Sequence, residues 1–575
     1  MTVVRVLPNV TGLDKHFDYL VPERFVGAIA VGSLVRVPLH GRRVAGWVLA
    51  IDPVDPDTDR IPLKEITKVT GRGPATDLIE LAEWAALRWA GRRRHFLVTA
   101  SPERAVPTLP EARRSGARPE PRSPAATELM TGSAGGGVLR LPPSSDPLPA
   151  VLSAIALGPT LVIVPELDTA RLLAARVRRA GPTVALLPDD WAAAAGGVDV
   201  VVGTRSGAWA PCPGLAAAVV LDEHDEALQD DASPTWHARD VVVERCRRAG
   251  AAWVLVSPVP TLHALELGPL RHPPADRERR GWPIVDVIDR TGEVPWKRSL
   301  ITSELVTHLR DHDRRVVCVS NTTGRARLLA CRSCRALARC ERCDAAVAQS
   351  DQDLLVCPRC DLTRPLACLE CRSSSFANLR PGVTRLREEL EAAAGRPVVA
   401  ITGAAPTGDD GSADVFIGTE AVLHRVGSAH VVVFLDLDAE LFAPRYRAAE
   451  HAMVLLARAA ALVGPRGRGG RLVLQTFTPD HEVIRAALLG DPGRLVASER
   501  ERRQLLGFPP YGALAEVAGT GAAEFLETVT GVEVGGGPDR FVVRAPHANQ
   551  LGAALRAGVR PSGSRLRVAV DPPRV

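Results

Sequence analysis

Lysine is almost missing from this 575-residue chain: Lys15, Lys64, Lys68 and Lys297 are the only four among 71 basic residues, and the rest are arginines. With abundant Ala, Gly and Val, that bias reads as the codon signature of a GC-rich genome. Aromatic residues are also scarce, at 4%, which argues against an RNA-binding surface built from stacking platforms. No apolar run approaches the roughly 20 residues a membrane helix needs. The start, Met1 to Tyr19, shows no signal-peptide pattern, so a cytoplasmic protein is expected. A net charge of only +5 is too weak to establish a nucleic-acid partner. Cysteine is sparse as well, with eleven in all, so a disulfide scaffold is excluded.

What is present is organised in blocks. The length calls for three or four domains. Residues 1–100 carry short alternating apolar runs separated by turn residues, the pattern of a small β-rich domain, followed by a helical pattern at Leu78–Trp89. Residues 101–137 are rich in Pro, Arg, Ser and Gly and read as a flexible linker. From 138 to 480 compact β-branched runs alternate with Ala/Leu/Arg helices. These runs include 161–164, 198–202, 218–221, 253–256, 316–319, 431–435 and 472–474. Continuous apolar strands alternating with helices imply buried parallel sheets, hence a multidomain α/β fold with two lobes, 138–290 and 291–480. Residues 481–575 read as a small C-terminal α+β domain.

Eight of the cysteines fall within 41 residues, as Cys331-x2-Cys334, Cys340-x2-Cys343, Cys357-x2-Cys360 and Cys368-x2-Cys371. A CxxC turn aims two thiolates at one point, and two such turns complete a tetrahedral shell around Zn²⁺. Four pairs therefore imply two structural Zn²⁺ ions in a module at 330–375 inserted into the second lobe, with an iron–sulfur cluster as the alternative. Arginines flank the pairs and would suit a surface facing nucleic acid or merely solvent.

A two-lobed α/β engine with four CxxC pairs in its second lobe, behind a small β domain, resembles the PriA (primosomal protein N′) family of replication-restart proteins. Further matches are His16–Glu23, Gly32–Pro38, Val164-Pro165-Glu166, Gly203–Ser206, Leu221–Asp225, Trp236–Asp240, Ile417–Glu420, Leu435–Asp438, Phe508–Tyr511 and Val570–Pro572. The resemblance implies two RecA-like helicase-type lobes and a 3′-end DNA-binding domain at 1–100, in which Phe17, Asp18, Tyr19, Gly41 and Lys64 match the 3′-terminal nucleotide pocket. It also implies an outer zinc site of Cys331, Cys334, Cys368 and Cys371 around an inner one of Cys340, Cys343, Cys357 and Cys360. The implied partners are forked DNA and nascent-strand 3′ ends, primosome components, the replicative helicase with its loader, and single-strand-binding protein.

Departures from the family pattern shape the remaining expectations. Where a P-loop would stand, residues 138–147 contain no Lys for the phosphates, three prolines that remove backbone donors, and Asp146, which would repel a phosphate. The helicase coupling motif reads Ser257-Pro258-Val259, the final arginine-rich motif is thinned to Arg458–Arg466, and Asp222-Glu223 remain of the acidic motif. From these losses a vestigial nucleotide site at Asp222 and Glu223, doubtful ATP binding, and a protein that is not an enzyme are expected. The alternative is an active ATP-dependent 3′-to-5′ DNA helicase. Only the 101–137 linker occupies the place of the family's winged helix, so none is expected.

Overall fold

The computed structural model describes residues 2–53, 62–293, 299–320, 329–334, 336, 338–342, 347–350, 354–357, 362–378, 383–401, 413–537 and 540–573. The chain forms two compact units: Met1–Leu141 with Asp146–Pro273 and Ala497–Val575, and Pro142–Ser145 with Pro274–Val496.

The first unit begins with β1 (Val3–Pro8), β2 (Phe17–Leu20), β3 (Leu34–Leu39), β4 (Arg42–Ile51) and β5 (Lys68–Gly71), a sheet in the order β2-β1-β4-β3-β5. Alternation along these strands sends Val4, Val6, Val35, Val37 and Val48 to one buried face. Helices α1 (Thr76–Arg88) and α2 (Arg93–Ala100) follow. Leu78, Leu81, Ala82 and Ala85 make the three-and-four-residue stripe that buries α1.

A seven-stranded sheet comes next, built on β6 (Gly136–Arg140), β7 (Thr160–Ile163), β8 (Val184–Leu186), β9 (Val200–Gly203), β10 (Ala217–Leu221), β11 (Ala252–Ser257) and β12 (Leu270–Arg271). Their order is β12-β6-β11-β10-β7-β9-β8, with every pairing parallel. Every residue of β6, β7, β9 and β10 is buried, as expected where helices cover both faces. Helices α3 (Pro124–Thr131), α4 (Leu148–Ile155), α5 (Leu167–Arg179), α6 (Trp191–Gly196) and α7 (Ala238–Ala249) lie along this sheet's sequence.

Residues 101–137 are not a bare tether. The Asp199 carboxylate accepts from Ser115 N (3.0 Å), Ser115 Oγ (2.6 Å), Thr183 N (2.8 Å) and Thr183 Oγ1 (2.8 Å). These bonds hold its pKa down although burial alone would raise it. Arg113 N donates to the Gly197 carbonyl, Ser153 Oγ accepts from Arg122 N and Ser123 N, and Ser123 caps α3. Polar bonds thus strap down the first part of this segment, and α3 adds apolar burial through Ala126, Leu129 and Met130.

In the second unit β13 (Ile284–Asp289) and β14 (Val316–Val319) precede the cysteine module. The module holds the short strands β15 (Leu329–Cys331), β16 (Ala348–Gln349), β17 (Leu354–Val356), β18 (Thr363–Pro365) and β19 (Phe376–Asn378). After it, β20 (Val399–Ile401), β21 (Val415–Gly418), β22 (Val431–Phe434) and β23 (Arg471–Thr476) complete a parallel sheet in the order β13-β23-β22-β14-β21-β20. Because β13 pairs with β23, residues 274–290 go with this second lobe rather than the first, and so do residues 481–496.

The chain then returns to the first unit with an antiparallel sheet of β24 (Ala513–Ala518), β25 (Glu533–Gly536), β26 (Arg540–Ala545) and β27 (Arg567–Val570), ordered β25-β26-β24-β27. One continuous apolar core joins the α1–α2 region, the seven-stranded sheet and this terminal sheet through residues such as Trp89, Phe96, Trp209, Trp236, Phe525 and Val570.

Candidate nucleic-acid interface and metal centre

The antiparallel register of β1 and β2 sets Arg5 opposite Asp18. The Arg5 guanidinium donates from Nε (2.9 Å) and Nη2 (3.0 Å) to the two Asp18 oxygens. The Asp18 side chain is 2% exposed and that of Arg5 26%. Tyr19 points into the domain core, with its hydroxyl donating to the Pro38 carbonyl at 3.2 Å. Phe17 is only partly buried and has the Lys15 ammonium 5.8 Å from its ring centroid. Gly41 and His40, both at positive φ (77° and 45°), make the β3–β4 turn, where Gly is the natural choice. Lys64 is exposed, and its carbonyl accepts from Leu20 N at 2.9 Å. Of the five residues matched to the 3′-end pocket, Phe17, Asp18 and Tyr19 thus share one short strand, with the Tyr19 ring in the domain core. Arg5, which sequence reasoning passed over, is the direct partner of the key carboxylate.

At the C-terminal end of β10 the chain turns through Asp222, at φ +50°, into Glu223, which is fully buried. Glu223 accepts from Thr261 N (2.7 Å), Thr261 Oγ1 (3.0 Å) and Arg239 Nη1 (3.1 Å). Arg239 Nε also donates to Asp240 at 2.9 Å. Burial alone would depress Arg239, but the charges of Asp240 and Glu223 raise it. Burial would likewise raise Asp240, yet Arg239 first, then His237 and Arg88, hold its carboxyl at about 2. One residue on, His224 Nδ1 meets Ser257 Oγ at 2.8 Å. The acidic element and the altered coupling motif are therefore still joined. Near the start of α4, Asp146 accepts from Leu148 N (3.1 Å) and is gripped by both Arg176 nitrogens at 2.9 and 2.6 Å. The Arg176 bonds hold its pKa down despite burial.

In the module, the Sγ atoms of Cys331, Cys334, Cys368 and Cys371 all lie within 4.8 Å of one another. Cys331 and Cys371 approach to 3.4 Å, and Cys334 and Cys368 to 3.5 Å. Tetrahedral Zn–S bonds of about 2.3 Å put sulfurs roughly 3.8 Å apart, so this set fits a Zn²⁺ shell. Antiparallel pairing of β15 with β19 carries Cys331 toward the second half of the module. Cys340 and Cys357 are buried together in a small core with Leu329, Val347 and Leu355. The other two cysteines assigned to the inner site, Cys343 and Cys360, lie outside the described residues.

The 3′DNA-binding domain (3′BD) of PriA matches residues 5–102. The chain is 27% identical over 422 residues to the replication restart protein PriA of Synechocystis, covering 65% of this chain and 51% of that protein. It is 28% identical over 656 residues to the probable replication restart protein PriA of Mycobacterium leprae, covering 98% and 99%. The chain thus spans about half the length of the Synechocystis relative and 43% of that of Bacillus subtilis. Among solved structures, Dbp5 of S. cerevisiae bound to RNA and ADP BeF3 is similar at 13% identity and a TM-score of 0.36, covering 68% of this chain and 93% of that one. The helicase MrfA bound to DNA and AMPPNP is similar at 12% and 0.36, covering 75% and 63%.

The expectation of a protein that is not an enzyme is corrected here. Similarity to PriA replication restart proteins runs through 98% of the chain, and no inactive state is shown. Asp146 is paired with Arg176, and His224, next to Glu223, meets Ser257 of the altered coupling motif.

Proposed function

For a chain that belongs to the PriA family, we propose a replication-restart role: it binds abandoned DNA replication forks, captures nascent-strand 3′ ends through the β1–β5 domain, and promotes primosome assembly and reloading of the replicative helicase. The single observation that carries this reading is the match of the 3′DNA-binding domain to residues 5–102. The domain assignment proposed is 3′-end binding by residues 1–100, helicase-type lobes on the two parallel sheets, and a C-terminal domain on β24–β27. The partners proposed are forked DNA, primosome components, the replicative helicase with its loader, and single-strand-binding protein, in the cytoplasm. No described helix is long and apolar enough to cross a membrane.

In the capture step, Phe17 offers its ring face to the terminal base. Asp18, oriented by Arg5, accepts a hydrogen bond from the 3′-hydroxyl, and its charge repels a 3′-phosphate. Gly41 and Lys64 complete the pocket by family resemblance, with Tyr19 supporting it from the core. In the module, Cys331, Cys334, Cys368 and Cys371 would hold one Zn²⁺, and Cys340, Cys343, Cys357 and Cys360 a second. Closed four-thiolate shells supply folding energy rather than chemistry. The test is binding to forks with and without a free 3′ end at the branch. Severalfold tighter binding to the free-ended fork is expected, and equal binding would reject end capture.

A second reading, ATP-driven 3′-to-5′ translocation, is favoured by the His224–Ser257 contact at 2.8 Å. The contact joins the acidic element after β10 to the end of β11, so a change at one can reach the other. On this reading His224→Ala and Ser257→Ala lower DNA-stimulated ATP hydrolysis equally and non-additively. Independent, additive effects would reject it.

A further inference from the structure

Two segments of the first unit, the start of α2 and the end of helix Ala548–Ala557 with Arg560 beyond it, bring arginines to the loop 9–14. Arg93 and Arg556 share one carboxylate, Asp14, at 3.5 and 3.1 Å. Arg94 donates only to the neutral Asn9 amide at 2.7 Å. Arg92 lies against the Gly12 turn, where a Cβ would sit 3.7 Å from its Nη1. Among the described residues neither Arg92 nor Arg560 has an ion-pair or hydrogen-bond partner. Two guanidinium groups therefore share one carboxylate, and Arg92, Arg94 and Arg560 add charge with no carboxylate of their own.

The neighbouring groups register the crowding. Burial, then Arg92, lowers Arg560. Burial, then Arg94, Arg92 and Arg560, lowers His95, and the buried His95 Nδ1 has no hydrogen-bond partner among the described residues. Uncompensated like charge is unfavourable in the free protein and is relieved by an anion.

The patch is also contiguous with the candidate pocket. Burial, Arg5 and Arg93 together lower His16, so the stretch from Asp14 to Asp18 runs from one site to the other. Four residues of extended chain span at most about 14 Å, so a strand leaving the pocket passes the Asp14 end of that stretch within about four steps at 3.4 Å each.

We propose that Arg92 and Arg560, flanked by Arg94 and His95, form a second DNA contact that takes backbone phosphates about four nucleotides inward from a captured 3′ end. It deepens the end-capture reading given above and rests on it. The two contacts divide the work: the pocket reads the terminus, whereas the patch reads only charge and is indifferent to sequence and to terminal chemistry. It also gives residues after the C-terminal helix a direct share in holding the strand.

The experiment is a titration of a duplex with a recessed 3′ end, from about 50 to 200 mM salt, with the natural protein and an Arg92→Gln, Arg560→Gln variant. The slope of log affinity against log salt should become shallower by about 1 per lost phosphate contact, so about 2 for the pair. Affinity should fall by the same factor for 3′-hydroxyl and 3′-phosphate ends, leaving the ratio between them unchanged. An Arg92→Lys, Arg560→Lys variant should keep the slope. An unchanged slope in the glutamine variant overturns the proposal, as does failure of the lysine variant to restore it. Loss of end discrimination in the natural protein, with the slope change intact, would reject end capture and leave the patch standing.

Discussion

Arg88, at the end of α1, and Asp571, just past the last strand, meet at 2.5 Å although they lie 483 positions apart in sequence. Both side chains are largely buried, at 15% and 11% exposure. Burial would lower Arg88, but Asp571 and then Asp240 raise it. Asp571 sits at φ +49° and its carbonyl accepts from Gln229 Nε2 at 2.8 Å, while Thr235 Oγ1 donates to the Val570 carbonyl at 2.7 Å. The C-terminal sheet is thus bolted into the first unit by polar contacts as well as by the shared core.

Asp571→Ala should therefore destabilise the first unit by about 3–5 kcal/mol, the usual consequence of leaving one buried charge without its partner. Thermal unfolding of the variant checks this. Replacing both partners together with Leu should cost less than Asp571→Ala alone, since no unpaired charge remains. A double variant as unstable as the two single losses summed would contradict the pairing.

The depressed Asp240 carboxyl makes an acid-stability statement. Its folded value is about 2 against roughly 4 in an unfolded chain. Its contribution is therefore fully present above about pH 4 and is lost as the pH falls through 2. The linked free energy is about 2 kcal/mol. Stability measured between pH 5 and 2 should fall less steeply in Asp240→Asn than in the natural protein. Parallel curves would contradict the assignment.

Much of the fold was legible in the sequence. The runs 161–164, 218–221, 253–256, 316–319 and 431–435 appear as β7, β10, β11, β14 and β22 to within a residue or two. These strands are buried on both faces, so a bare apolar run carries their whole signal. The first and last CxxC pairs likewise come together, as their spacing allows, in a cluster that could hold a metal ion. What stayed hidden depends on tertiary partners. Arg5 opposite Asp18 is a matter of register, and Glu223 bonded to Thr261 and Arg239 links side chains 38 and 16 positions away. The strap at 101–137 is held through Asp199, which lies 84 positions from Ser115. The expected loss of enzymatic character rested on the missing Lys, the prolines and the altered coupling and arginine motifs, and the similarity to PriA relatives over the whole chain overturns it.

Metal content offers a separate check on the nested ligand sets. The natural protein should carry about two zinc ions, and Cys331→Ser, Cys371→Ser should leave about one while the rest of the second lobe remains folded. Each site should contribute on the order of 10 kcal/mol to folding of the module, so chelation should unfold the module before the parallel sheet. Iron in place of zinc, or one zinc in the natural protein, would contradict the assignment.

The central claim is that the N-terminal β domain recognises a free 3′ end through Asp18, held by Arg5. The most direct measurement compares affinities for matched forks ending in a 3′-hydroxyl or a 3′-phosphate, for the natural protein and for Asp18→Asn. The natural protein should prefer the hydroxyl by about tenfold, equivalent to about 1.4 kcal/mol and within the range of one charge-assisted hydrogen bond. In Asp18→Asn the preference should shrink toward unity, mainly because the phosphate-ended fork is no longer repelled. Equal affinities of the natural protein for the two ends, or a preference that Asp18→Asn leaves intact, would contradict it.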